Sequence, residues 1–192
     1  GKVRAGTAPC NALHFATHTS TPVAEVIRDI NKFSNNIMAR HLFLTLSGQD
    51  GVAASPQRSA VFVQQWLAKQ GLNFPELVLE NGAGLSRRER ITPEHLAQVL
   101  QYAAASPYSA ELQASLPILG IDGTVKKRFK NCALTGHAHL KTGTLDGVKS
   151  IAGYVDAQSG KHWLMVFVIN HPRAAQGQAA QDALIAWLEK ND

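Results

Sequence analysis

His139-Leu140-Lys141-Thr142-Gly143-Thr144 is followed within a few residues by an apolar run of Val148, Ile151, Ala152, Tyr154 and Val155. The stretch reads as a strand whose exposed end carries a cation and two hydroxyls. Such a strand end can hold a carboxylate. The lysine attracts the negative charge, and the Thr142 and Thr144 hydroxyls donate to its oxygens. Gly143 has no side chain, so a ligand or another backbone approaches closely there. Three common residues in order recur by chance, and the weight of the stretch depends on partners elsewhere in the chain.

Working outward, the whole region from residue 138 has β character. Strands are predicted over about 138–142, about 148–156 and Trp163–Ile169, with a turn at Asp156-Ala157-Gln158-Ser159-Gly160. Short turns between neighbours predict antiparallel hairpins. Trp163-Leu164-Met165-Val166-Phe167-Val168-Ile169 is nearly all apolar and is expected to be buried on both faces. A helix over about 175–189, with Ala179, Ala183, Leu184, Trp187 and Leu188 at helical spacing, is placed to pack across the sheet.

Upstream the pattern is helical. Thr21-Pro22 opens a helix with Val23, Val26, Ile27, Ile30 and Phe33 on one face. Ser34-Asn35-Asn36 interrupts it, and residues that favour local backbone hydrogen bonds predict a turn there. A second helix carries Ile37, Leu42, Leu44 and Leu46 and stops at Gly48. Ser55-Pro56 opens a third, with Val61, Phe62, Trp66 and Leu67, ending at Gly71; Thr92-Pro93 opens a fourth, with Leu96, Val99 and Leu100. Between these two, Leu77-Val78-Leu79 reads as a short strand leading into the loop Asn81-Gly82-Ala83-Gly84-Leu85-Ser86-Arg87. That loop has neither of the glycine spacings that cradle phosphates. Residues 105–137 are expected to be a long irregular connection, of the kind that is often functional. Helices, then a β-meander, then a helix make an α+β architecture, an antiparallel sheet flanked by helices.

The bulk properties narrow the classes. A chain of 192 residues, 45% hydrophobic and 17% charged, suits one globular domain, or one large domain and an appendage. No apolar run is long enough for a transmembrane helix, and no apolar region follows Lys2 and Arg4 to make a signal peptide. The first residue is not Met, which suggests a processed chain or one that begins inside a longer protein. Residues 1–20 read as a lead-in segment or the end of a removed insertion, with the domain proper over 21–192. Net charge is +5. Its densest cluster is Lys126-Lys127-Arg128 with Lys130, read as a solvated face, and no nucleic-acid partner is predicted. Cys10 and Cys132 have no redox or metal spacing; either they pair or both are free. The histidines lack acidic or thiol partners at ligand spacing, so neither a metal nor a cofactor is predicted. Met38, Met165, Trp66, Trp163 and Trp187 are expected in the core.

Ser34-Asn35-Asn36 between helices and Lys141-Thr142-Gly143 on a strand match two of the three motifs, S-x-x-K, S-D-N and K-T-G, that mark serine penicillin-binding proteins and β-lactamases. Further phrases narrow the match. Ile30-Asn31-Lys32-Phe33-Ser34-Asn35-Asn36-Ile37-Met38-Ala39-Arg40, the loop from Asn81 to Arg87, Leu116-Pro117-Ile118 with Gly120-Ile121-Asp122-Gly123-Thr124, and Lys141 to Leu145 together resemble D-alanyl-D-alanine carboxypeptidase/endopeptidases of the class C, low-molecular-mass penicillin-binding type. The resemblance runs from about residue 22 to the C-terminus. There are three departures. No serine in the chain has a lysine three residues on, Asn35 stands where the signature has Asp, and Asn81 stands where Asp is expected.

The resemblance implies part of a β-lactamase/transpeptidase-like fold and a serine acyl transfer on peptidoglycan stem peptides ending in D-Ala-D-Ala, with β-lactam antibiotics as inhibitors and a periplasmic location. Ser34 would relay a proton to the leaving amine. Asn36 would bind the substrate's backbone amide and orient the lysine of the absent S-x-x-K. Lys141, Thr142 and Thr144, with Gly143 between them, would hold the terminal carboxylate, and the Thr144 N–H would supply half of an oxyanion hole. Without a nucleophile the chain alone is expected to be inactive. Alternatives are a non-catalytic carboxylate-binding or scaffolding module, a serine β-lactamase-like hydrolase, and a basic nucleic-acid binder. The family's sheet also uses N-terminal strands, so an exposed sheet edge and self-association through it are expected.

Overall fold

The computed structural model describes residues 2–3, 5–48 and 52–191; Gly1, Arg4 and Asp192, at or near the ends of the predicted domain spans, lie outside them. Residues 5–20 carry no helix or strand and are exposed throughout. The helices α1 (Val23–Phe33), α2 (Asn36–Thr45), α3 (Pro56–Lys69) and α4 (Pro93–Ala104) follow, then a short α5 (Ser109–Ser115) and a 3-10 turn at Gly123–Val125. The strands β1 (Ala138–Leu145), β2 (Val148–Asp156) and β3 (His162–Asn170) come next, and α6 (Gln178–Lys190) closes the chain.

Local chemistry accounts for most boundaries. Ser55 and Thr92 cap their helices, accepting from the N–H groups of Arg58 and His95, with proline next in line. Pro22 differs from expectation. Its own carbonyl accepts from Glu25 and Val26, which makes it the capping residue and starts α1 at Val23. Three other readings are corrected. Leu77-Val78-Leu79 is no strand but a single bridge, Val78 to Arg90, because no second strand among the described residues lies alongside to extend it. The connection 105–137 is not irregular throughout: α5 occupies Ser109–Ser115, a helix too short to show apolar periodicity. Trp66 and Trp187 are 44% and 54% exposed, not core.

The sheet is antiparallel, in the order β1-β2-β3. Lys141 pairs with Ala152 and Gly143 with Ser150. β2 is central, so β3 lies at an edge and, of its residues, only Met165 is fully buried. This overturns the expectation of a strand buried on both faces: an apolar run reports what a strand contacts in sum, not how many neighbours it has. One face of the sheet packs on α6. Leu140, Ile151 and Val155 meet Ile185 and Leu188, and Leu119 and Val125 join from the connection. A smaller cluster of Leu67, Phe74 and Leu77 ties α3 to the segment before α4. Arg128, read as part of a solvated basic face, instead donates from Nε to Asp182 of α6 at 2.7 Å with its side chain only 9% exposed. Lys126, Lys127 and Lys130 do face solvent.

Candidate active site

Two elements far apart in sequence build the site. α1 ends on Ser34, which adopts the left-handed conformation (φ 52°, ψ 48°), and the N–H of Asn35 returns to Ile30 O. This tight reversal lets α2 begin at Asn36, capped by the Asn35 side chain accepting from Met38 N–H. The turn is therefore shorter than expected, with Asn36 in the first turn of α2. A non-glycine residue in this conformation is uncommon and is frequent at functional positions.

The second element is the free edge of β1. Leu140 N–H donates outward to Pro117 O and Ala138 O accepts from Leu119, so the even-numbered residues present their backbone to that edge. By the strand's period of two, the N–H groups of Thr142 and Thr144 project from the same edge, beyond the reach of the 117–119 segment. Side chains alternate too. Thr142 and Thr144 share one face and Lys141 emerges on the other. The long lysine stem closes the gap. Lys141 Nζ donates to Thr142 O at 2.8 Å, which brings the ammonium round to the edge, and to Ser34 Oγ at 2.9 Å.

That Lys141–Ser34 hydrogen bond joins the two motifs across 107 residues of sequence. Both partners are half-buried. Burial holds the Lys141 pKa below its ordinary value, since a desolvated ammonium is less favourable than a solvated one. Among the described residues no carboxylate pairs with Lys141. A partly desolvated cation contacting only neutral oxygens is left with attraction to offer an anionic ligand. Gly143 sits opposite Ser150, whose hydroxyl leans over it into the space a Cβ would take. Asn36 is half-buried beside the pair and makes no hydrogen bond to Ser34 or Lys141 among the described residues.

The structure adds residues that the motifs alone did not single out. Thr142 Oγ1 donates to Thr124 Oγ1 at 2.8 Å, so a third hydroxyl stands at the cradle. Arg87, at the end of the glycine-rich loop, donates to Asp146 O at 2.6 Å and ties that loop to the β1–β2 turn. The loop keeps its shape through Glu89, whose carboxylate accepts from the N–H groups of Glu80 and Asn81. Asn81 itself accepts from Ala83 N–H, a role an Asp would serve equally. Cys10 and Cys132 are both free and exposed.

Comparison with known proteins agrees with this fold. The model of the D-Ala-D-Ala carboxypeptidase 3 (S13) family matches residues 1–191. A D-alanyl-D-alanine carboxypeptidase of Actinomadura sp. (strain R39) is 31% identical over 179 residues, 90% of this chain and 33% of its own length. The D-alanyl-D-alanine carboxypeptidase DacB of Haemophilus influenzae is 32% identical over 173 residues, 88% of this chain and 36% of its own. The crystal structure of penicillin-binding protein 4 from the same organism, complexed with a β-lactam, superposes with a TM-score of 0.82 at 29% identity, covering 91% of this chain and 43% of that one. A class A β-lactamase from Bacteroides cellulosilyticus shares the fold, with a TM-score of 0.60 at 21% identity. The chain thus spans about a third of the length of these curated relatives. With the family model matched along the chain, and with a paired serine and lysine at the edge of an antiparallel sheet, this chain belongs to the D-Ala-D-Ala carboxypeptidase 3 (S13) family.

Proposed function

We propose that residues 21–192 form the C-terminal part of a penicillin-binding catalytic domain, with residues 1–20 leading into it, and that they supply one wall of a serine acyl-transfer site for peptides ending in D-Ala-D-Ala. The observation that carries this reading is the 2.9 Å contact between Lys141 Nζ and Ser34 Oγ, made by an ammonium without a carboxylate partner among the described residues. Lys141 and the Thr142 and Thr144 hydroxyls receive the terminal carboxylate of the substrate, or that of a β-lactam. The edge N–H of Thr144 donates to the developing oxyanion. Ser34, polarised by the ammonium, passes a proton toward the leaving amine. Asn36 meets the substrate's amide. The nucleophile and its lysine come from an S-x-x-K segment outside these residues, since none lies within them.

The surroundings of Ser34 support an external segment. Phe33 and Ile37, which flank the turn, are each 72% exposed. Exposed apolar side chains either side of a catalytic hydroxyl suit a covering element that brings the nucleophile with it. The outer edge of β3 is unpaired among the described residues, and self-association of the isolated segment through that edge is part of the reading. A clean monomer by light scattering would count against it. We place the enzyme in the periplasm, where its peptidoglycan substrate lies.

The test is labelling with a fluorescent penicillin followed by denaturing electrophoresis. The full-length protein should give a covalent band, and the 192-residue chain alone should give none. A labelled band from the isolated chain would place the nucleophile within it and sink the proposed division of the site. Lys141→Ala in the full-length protein should abolish labelling at penicillin concentrations that saturate the wild type.

A further inference from the structure

We propose that the Asp122-Gly123-Thr124 turn is a positioning clamp that sets the Ser34–Lys141 contact, with Lys32 as its handle on α1. This rests on the acyl-transfer reading. The observation behind it is an unusual buried cation. Lys32 lies two residues before Ser34 and is only 8% exposed, the one residue of α1 that is fully buried. Its ammonium donates to Leu116 O at 2.7 Å and pairs with Asp122 Oδ2 at 2.7 Å. Asp122 uses its other oxygen to accept from Ile118 N–H, also at 2.7 Å. One carboxylate therefore folds the 116–122 segment on itself and holds α1 to it. Burying a lysine is unfavourable unless it is fully partnered, so a buried lysine spent on a loop marks a position that must be fixed.

The same segment grips β1. Pro117 O accepts from Leu140 N–H, Leu119 N–H donates to Ala138 O, and Thr124 Oγ1 accepts from Thr142. α1 and β1 each pack on the 3-10 turn more than on one another, so the turn is the mechanical link between the two motifs. Gly123 lets it fit. At φ 57° a Cβ would lie 2.7 Å from Lys32 O and 2.8 Å from Pro117 Cβ, so the backbone of α1 rests directly on the turn. Ser34 is thus held through Lys32 and Asp122, and Thr142 through Thr124. Lys32 and Asp122 touch no reacting atom; they act by fixing where Ser34 stands. Thr124 stands at the cradle itself: its hydroxyl takes the Thr142 proton and keeps its own proton for the carboxylate.

The two halves of the clamp predict different kinetic signatures in the full-length protein, read as the limiting rate of acylation and the apparent affinity for a fluorescent penicillin. Lys32→Met and Asp122→Asn should lower the limiting rate about 10- to 100-fold, the scale of a misplaced catalytic group, with affinity little changed. Asn at 122 keeps the acceptor for Ile118, so this variant tests the ion pair even where Lys32→Met fails to fold. Lys32→Arg should restore most of the rate. Thr124→Val should weaken affinity about 10-fold, as for one lost hydrogen bond to a charged group, with the limiting rate retained, and Thr124→Ser should restore it. Wild-type acylation rates in Asp122→Asn would overturn the clamp. So would rate and affinity falling together with the melting temperature and without rescue by Arg, the behaviour of a plain stabilising contact. A full-length wild type that takes no penicillin label would instead overturn the acyl-transfer reading, and the clamp with it.

Discussion

The two sides of this molecule are built to different standards. On the α6 side of the sheet, Leu140, Val155 and Ile185 are 0% exposed. On the α1–α2 side, apolar residues of the same size remain in solvent, Phe33 and Ile37 among them, although they belong to helices with well-formed ends. The hydrophobic pattern was equally clear on both sides. What differs is how far each face is covered. A finished face is spent on stability. On the proposed reading, the exposed face beside Ser34 is where the segment carrying the nucleophile docks.

Several substitutions would break or sharpen this contrast. The largest effect belongs to the finished side: Leu140→Ala or Ile185→Ala should destabilise the chain by about 2–5 kcal/mol in urea or guanidinium unfolding, through lost burial and a residual cavity. Removing the Thr92 cap, which accepts from His95 N–H at 3.1 Å, should cost about 1 kcal/mol in the same measurement. On the unfinished side Phe33→Ser and Ile37→Ser should change the stability of the isolated chain by less than about 0.5 kcal/mol, because exposed side chains lose nothing on truncation. A loss comparable with that of Leu140→Ala would show that this face is covered within the chain itself.

Two titrations probe the site and its surroundings more gently. Burial lowers the Lys141 pKa, so at alkaline pH, between its folded and its ordinary value, the unfolded chain holds the proton that the folded chain has released. Stability from this group therefore rises with pH across that window, and Lys141→Met should flatten the rise. Glu76 has the same sign in the acid range. Its hydrogen bond to His95, 2.5 Å from Nδ1, lowers its pKa from 4.5 to about 2. The contribution is present above pH 4.5 and fades as pH falls toward 2, and Glu76→Gln should remove that slice of acid sensitivity. Both effects are read from unfolding curves collected across pH.

Much of the site was legible without coordinates, for reasons of local chemistry. Ser34-Asn35-Asn36 interrupts an apolar helical pattern with residues that bond their own backbone, and a turn forms there. Lys141-Thr142-Gly143-Thr144 follows a β pattern and stands on a strand. What misled was burial. Arg128 sits among exposed lysines in sequence but folds under onto Asp182, and Trp66 and Trp187, on helical apolar faces, stay 44% and 54% exposed. The apolar run of β3 resembled an interior strand although it is an edge.

The chain's own residues determined its helix ends, its turn at Ser34, its hairpins and its family, because caps, prolines, glycines and alternation act over a few residues and leave local signatures. Tertiary structure alone decided that Lys141 reaches Ser34, that Lys32 is the one fully buried residue of α1, and that Thr124 meets Thr142. Those contacts join residues separated by 107, 84 and 18 positions, as Lys141–Ser34, Lys32–Leu116 and Thr142–Thr124. No local pattern encodes such a meeting; it follows from how the strand edge, the 3-10 turn and α1 pack together.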